Sequence, residues 1–240
     1  MKITKKERNL VRRIFHEAFN LDFGIFQTFV KLFTNPNMVV KTYLAEDKEN
    51  YFGPFKYVVI STALMTFFYF LSIDFDNLVV NLGQTWMGQD KTEPIQTTKL
   101  TEQFIFVFQK MNNQYSSLTT LFIQIPAMAL FTFWFFHQEH KRFMEHFVIN
   151  TYFMGQVSGV LAIVLIPLLF LNLETASMIK YLTLLDIIIV VYFIYAFFRI
   201  FGTGKFGNAV KILLAPFLGY GAMYITMWVI SFGIAYFMVH

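Results

Sequence analysis

Residues 148–171 read VINTYFMGQVSGVLAIVLIPLLFL, with no charged side chain in the run. A bilayer hydrocarbon core of about 30 Å is crossed by roughly 20 helical residues at 1.5 Å rise. The run is long enough to cross. It does not alternate between apolar and polar residues, as a barrel strand would. In lipid, a helix is the natural solution because it pairs its own backbone N–H and C=O groups.

Four more stretches read the same way. They are 55–73 (FKYVVISTALMTFFYFLSI), 118–137 (LTTLFIQIPAMALFTFWFFH), 179–201 (containing LLDIIIVVYFIYAFF) and 212–239 (ILLAPFLGYGAMYITMWVISFGIAYFMV). The last is long and carries Gly219 and Gly221, so a tilted or broken span is expected there. The fold class is therefore an all-α integral membrane protein with about five transmembrane helices. It divides into an interfacial N-terminal segment, 1–54, and a five-helix domain, 55–240.

Composition supports this reading. Hydrophobic residues make up 56% of the chain and charged residues 14%, against about 25% charged in soluble domains. Mean hydropathy is +0.52. The absence of cysteine excludes disulfides, thiolate zinc sites and cysteine nucleophiles. The net charge of +4 is spread between spans, which suits anionic lipid and argues against a nucleic-acid partner. The basic start, MKITKKERNLVRR, is followed by no clean apolar run until about residue 55, so no cleavable signal peptide is expected.

Lys and Arg set the orientation. With the N-terminus inside, Lys41, Lys48, Lys56, Lys141, Arg142, Arg199, Lys205 and Lys211 lie near the cytoplasmic ends. Lys91, Lys99, Lys110 and Lys180 lie outside. The expected localisation is a bacterial inner membrane, N-terminus cytoplasmic and C-terminus outside. Residues 14–33 read as a Phe-rich helix in the headgroup plane. Thr34-Asn35-Pro36 signals a helix start, running to about Ala45, and Gly53-Pro54 leads into the first span. In the long outside segment, 74–117, FIFVF extends the second span or rests on the membrane surface.

Chemistry-bearing residues are few. Asp186 is the one acidic residue well inside a span, and ionisable groups there are costly and often functional. Gln124, Asn150 and Gln156 are candidate polar neighbours, and Pro126, Pro167 and Pro216 put a break in each of three spans. Together these residues could line a polar cavity; alternatively Asp186 bonds between helices and fixes packing. Gly155 and Gly159, four apart, suit close helix packing, within the chain or against a second copy. FFHQEHKRFMEHFV (135–148) reads chiefly as a solvated turn. His137 and His140 are weak metal candidates, because the potential ligands point around a helix instead of converging. GTGKFG (202–207) lacks the strand that a dinucleotide-binding turn needs.

One resemblance goes beyond composition. NLDFGIFQTFVKLFTNPNMVVKTYLAEDKENYFGPFKYVVI (20–60) presents Asp22, Gly24, Thr28, Pro36, Tyr43, Leu44, Tyr51 and Pro54 in an order that resembles the bacterial domain of unknown function 3667 family. Glu145-His146-Phe147 is similar to a second family element at the start of a span. Many members look as if they start with a cysteine-rich zinc ribbon, and this chain has no cysteine. Glu46 and Lys48 stand where the family has Gly and Arg. The resemblance implies an architecture and no mechanism.

No catalytic set or cofactor site emerges. The expectation is a non-enzymatic scaffold or partner subunit in envelope maintenance, in contact with lipid and with a second copy or another membrane protein. The alternative is a small transporter or channel using Asp186.

Overall fold

The computed structural model describes residues 24–45, 51–72, 98–138, 142–168, 170–171, 175–202 and 206–240. Among these there is no strand. The helices are α1 (24–34), α2 (Pro36–Leu44), α3 (Pro54–Ser72), α4 (Lys99–Asn113), α5 (Ser116–Phe136), α6 (Phe143–Leu168), α7 (Thr175–Phe201) and α8 (Phe206–Val239). Segments of α3, α5, α6, α7 and α8 are long and apolar enough to cross a membrane. Their outward faces are apolar too: Phe70, Phe122, Ile187, Ile225 and Phe237 are all exposed. A water-soluble protein avoids such a surface, whereas hydrocarbon does not penalise it.

The α8 helix is continuous through Gly219, Gly221 and the internal Pro216. Its 34 residues span about 51 Å at 1.5 Å rise, well over a 30 Å core, so it tilts or projects. The α4 helix is separate from α5, with a turn at Gln114 and Tyr115 between them. Thr98 caps it by accepting from the Thr101 N–H at 3.3 Å. It lies along α8, where Phe104 meets the Trp228 ring edge-on at 4.9 Å.

The tightest helix pair is α3 with α6. A Cβ placed on Gly155 would come within 2.6 Å of the Tyr57 ring and 3.1 Å of the Val58 Cα. One placed on Gly159 would meet Phe29 of α1 at 3.2 Å. The two glycines therefore serve contacts within this chain, allowing backbone approach that any side chain would obstruct. Gly219 does the same between α8 and Met128 of α5.

The N-terminal segment keeps Phe26, Val30 and Phe33 exposed, as an interfacial helix would, but its other side is docked on the spans. Leu32, Val39 and Val40 are buried in the main core. Asn35 caps α2 through its side chain, accepting from the Met38 N–H at 3.3 Å, and Pro36 stands in the first turn. The segment touches both α6 and α7: Tyr152 meets Tyr43 edge-on, and the Tyr192 and Tyr195 hydroxyls donate to the carbonyls of Leu32 and Thr34.

Gly155→Ala should lower the unfolding temperature in mild detergent, because overpacking costs about 1–3 kcal/mol. Gly221→Ala has nothing within 4 Å of the added carbon. It should be neutral or stabilise by about 0.5–1 kcal/mol, since alanine favours helix. Equal effects of the two changes would contradict the packing assignment.

Candidate functional site

Two regions with polar groups lie inside the bundle. The first joins the N-terminal segment to α3 and α6. The Thr28 hydroxyl, fully buried, donates to the Gly24 carbonyl at 2.7 Å and accepts from the Phe52 N–H at 2.8 Å. The Tyr152 hydroxyl donates to the Phe52 carbonyl at 2.8 Å. Gln156 accepts from the Tyr57 hydroxyl and donates to the Phe29 carbonyl at 3.1 Å. The bonds from Tyr152 and Gln156 tie chain segments about a hundred or more residues apart, in an interior where an unpaired polar group is expensive. Of the residues in the resembling stretch, Gly24, Thr28, Tyr43, Tyr51 and Pro54 gather at this joint; Asp22 lies outside the described residues.

Nearby, the stretch expected to be a wet turn is corrected. The α6 helix starts at Phe143, several residues before the expected start at 148, so His146 is wholly buried. Phe143 and Phe147 give this charged-looking segment an apolar stripe that lets it continue the helix. The His146 ring lies nearly parallel to Phe201 at 5.7 Å and edge-on to Phe133 at 5.5 Å. One turn on, the Asn150 amide donates to Thr132 Oγ1 at 2.8 Å and to the His146 carbonyl at 2.7 Å. His137 sits past the end of α5 with Nδ1 3.3 Å from the Trp134 carbonyl, and His140 lies outside the described residues. Among the described residues no three His, Asp or Glu side chains converge on a common point.

The second region is a cavity of about 510 Å³ whose wall includes Met154, Val157 and Ser158, beside Gln156 on α6. Every span and α4 contribute to its wall. Its polar lining is Asn112, Ser116, Thr119, Thr120, Gln124 and Ser158, together with Asp186. Tyr69, Tyr220 and Tyr224 line the same cavity. No Lys, Arg or His is among the described lining residues.

Local structure explains part of this wall. Pro126 has no N–H, and its ring crowds the carbonyl four residues back. The helix relieves this by widening over Thr120–Gln124, where the Ile125 N–H reaches back five residues to the Thr120 carbonyl. The wide turn presents Thr120 and Gln124 to the cavity, their side chains joined at 3.3 Å. On α8, Pro216 and Tyr220 line the wall facing them.

The four polar residues expected to share a cavity thus separate. Asp186 and Gln124 line it; Asn150 and Gln156 are packed elsewhere with partners of their own. Sequence reasoning missed the hydroxyls at Ser116, Thr119, Thr120 and Ser158, and the tyrosines on α3 and α8. The signal available was a cluster of small polar residues opening the second span, SSLTT at 116–120.

Fold and cavity define a multi-pass helical membrane protein with a largely apolar pocket among its spans that carries a few polar groups. Residues 22–66 match the family described as protein of unknown function (DUF3667), a stretch that covers α1, α2, most of α3 and the N-terminal side of the joint. Comparison with curated proteins and with solved structures gives no match.

Gln156→Leu would remove the acceptor of the Tyr57 hydroxyl and a donor from the Phe29 carbonyl. It should destabilise the protein by about 2–4 kcal/mol. Tyr152→Phe, which removes one bond to Phe52, should cost about 1 kcal/mol. Thermal unfolding in detergent reads both; a neutral Gln156→Leu would contradict the joint.

Proposed function

We propose that the protein is a small transporter whose solute binds in this cavity, with Asp186 as the charged group in its wall. The observation that carries the reading is the cavity itself, which places Asp186 and Gln124 in one space among the spans. Its volume lies within the roughly 300–1,000 Å³ usual for small-molecule sites. Membrane-embedded carboxylates commonly mark solute or ion pathways.

The cavity wall runs from Tyr69 near the end of α3 and Ser116 at the start of α5 to Phe193 on α7. From Phe193 onward, Phe136, Phe153, Phe193, Phe197 and Phe201 pack ring against ring and close the interior. In this reading the solute enters from the C-terminal side, and transport requires the aromatic end to open. Lys41, Arg142, Arg199 and Lys211 cluster at that closed end, which supports a cytoplasmic assignment for it in a bacterial inner membrane. A scaffold role in envelope maintenance would leave the cavity without a purpose.

The absence of cysteine makes the test direct. Ile189→Cys puts one thiol on the cavity wall, one turn from Asp186. In reconstituted vesicles a membrane-impermeant thiol reagent should label it when added to either face. Ile187→Cys, exposed at 57% but off the cavity wall, should resist labelling because its surroundings are lipid. Labelling of Ile189→Cys from one face alone would contradict transport, and labelling from neither would remove the cavity as a solute site.

A further inference from the structure

We infer that the cavity takes an organic monocation, an ammonium-type charge on a compact apolar body, with the Asp186 carboxylate as its counter-charge. The inference rests on the cavity being a solute site, as proposed above, and adds the chemical class of the solute.

The charge argument comes first. The described lining holds one carboxylate and no Lys, Arg or His. Asp186 is not buried by the rest of the chain, and it stands on the cavity wall. A carboxylate at the edge of hydrocarbon is costly unless a cation compensates it. An anionic solute would place a second negative charge beside it. A neutral solute would leave its charge uncompensated.

The rest of the wall selects among cations. A small metal ion needs several oxygen ligands converging at short range to replace its water shell. The described residues supply no group of three acidic or imidazole ligands. Most of the remaining wall is apolar and soft. Met65, Met111, Met154, Met223 and Met227 contribute flexible thioethers, and Tyr69, Phe193, Phe217, Tyr220 and Tyr224 contribute aromatic rings. Methionine adapts to irregular apolar shapes, and aromatic faces attract alkylammonium charge. The amides and hydroxyls of Asn112, Ser116, Thr119, Thr120 and Gln124 stand on α4 and α5, and Asp186 stands on α7. A solute with a charged head and an apolar body uses both kinds of wall; a bare ion uses only one.

The test keeps the single thiol of Ile189→Cys as reporter. Two thiosulfonate reagents of similar size are compared, one bearing trimethylammonium and one bearing sulfonate, each normalised to its rate with a small free thiol. The cationic reagent should react at least about tenfold faster, the difference expected from one charge-assisted contact. Adding Asp186→Asn should bring the ratio close to one, and Asp186→Glu should retain it. Hexyltrimethylammonium should slow labelling by the sulfonate reagent, and potassium chloride at the same concentration should not. Equal rates for the two reagents, or a ratio that survives Asp186→Asn, would overturn the cation assignment while leaving the cavity as a solute site. Equal protection by potassium would overturn the organic part of it. If neither reagent reacts, the cavity reading and this inference fall together.

Discussion

Gln156 holds the structure at its most constrained point. Its side-chain amide, wholly buried in the middle of α6, joins the Tyr57 hydroxyl of α3 to a backbone carbonyl of α1. Gly155 and Gly159 flank it and let both helices come close enough for those bonds to form. In lipid, apolar surface gives little reason for one helix to prefer another over the surrounding acyl chains. Close packing of small residues and polar pairing decide the partners. The stretch GQVSG at 155–159 supplies both within little more than a helical turn. Ser158, in the same stretch, faces the cavity, so this short segment also links the packed joint to the open pocket.

From that joint the molecule develops two unlike ends. At one, α1 and α2 are held against α6 and α7 by tyrosine hydroxyls, and stacked phenylalanines fill the interior. At the other, small polar side chains leave space among the spans. A chain that needed only to cross the bilayer could have filled that space with leucine. The family match over residues 22–66 falls on the packed end and the first span, while Asp186 and most of the cavity lie outside it. The matched stretch is therefore chiefly about how the helices are assembled, and the chemistry of the pocket lies in the rest of the chain.

Much of the architecture is legible in the sequence because a membrane span announces itself by length and composition alone. Each of the five runs overlaps one of the five long helices, with ends that differ by a few residues, and Asn35-Pro36 marks the start of α2 by a local rule. What was not legible depends on partners distant in sequence. His146 sits in a segment whose charges suggest water, and it is buried because Phe201 and Phe133 lie on either side of it. The Phe-rich helix near the N-terminus reads as a surface element. Its carbonyls find Tyr192 and Tyr195 about 160 positions away, pairings no local pattern encodes. The cavity was half legible: Asp186 and Gln124 stand out as polar residues in apolar runs. Asn150 and Gln156 stand out equally and serve packing, because helical phase and neighbouring backbone decide which polar group meets an opening.

All of this presumes an odd number of crossings. Reporter domains that are active on only one side of the membrane, fused before Met1 and after His240, measure that directly. The account predicts that the two ends report from opposite faces. Both ends reporting from the same face would contradict it, since the helices could not then thread the bilayer in the order described.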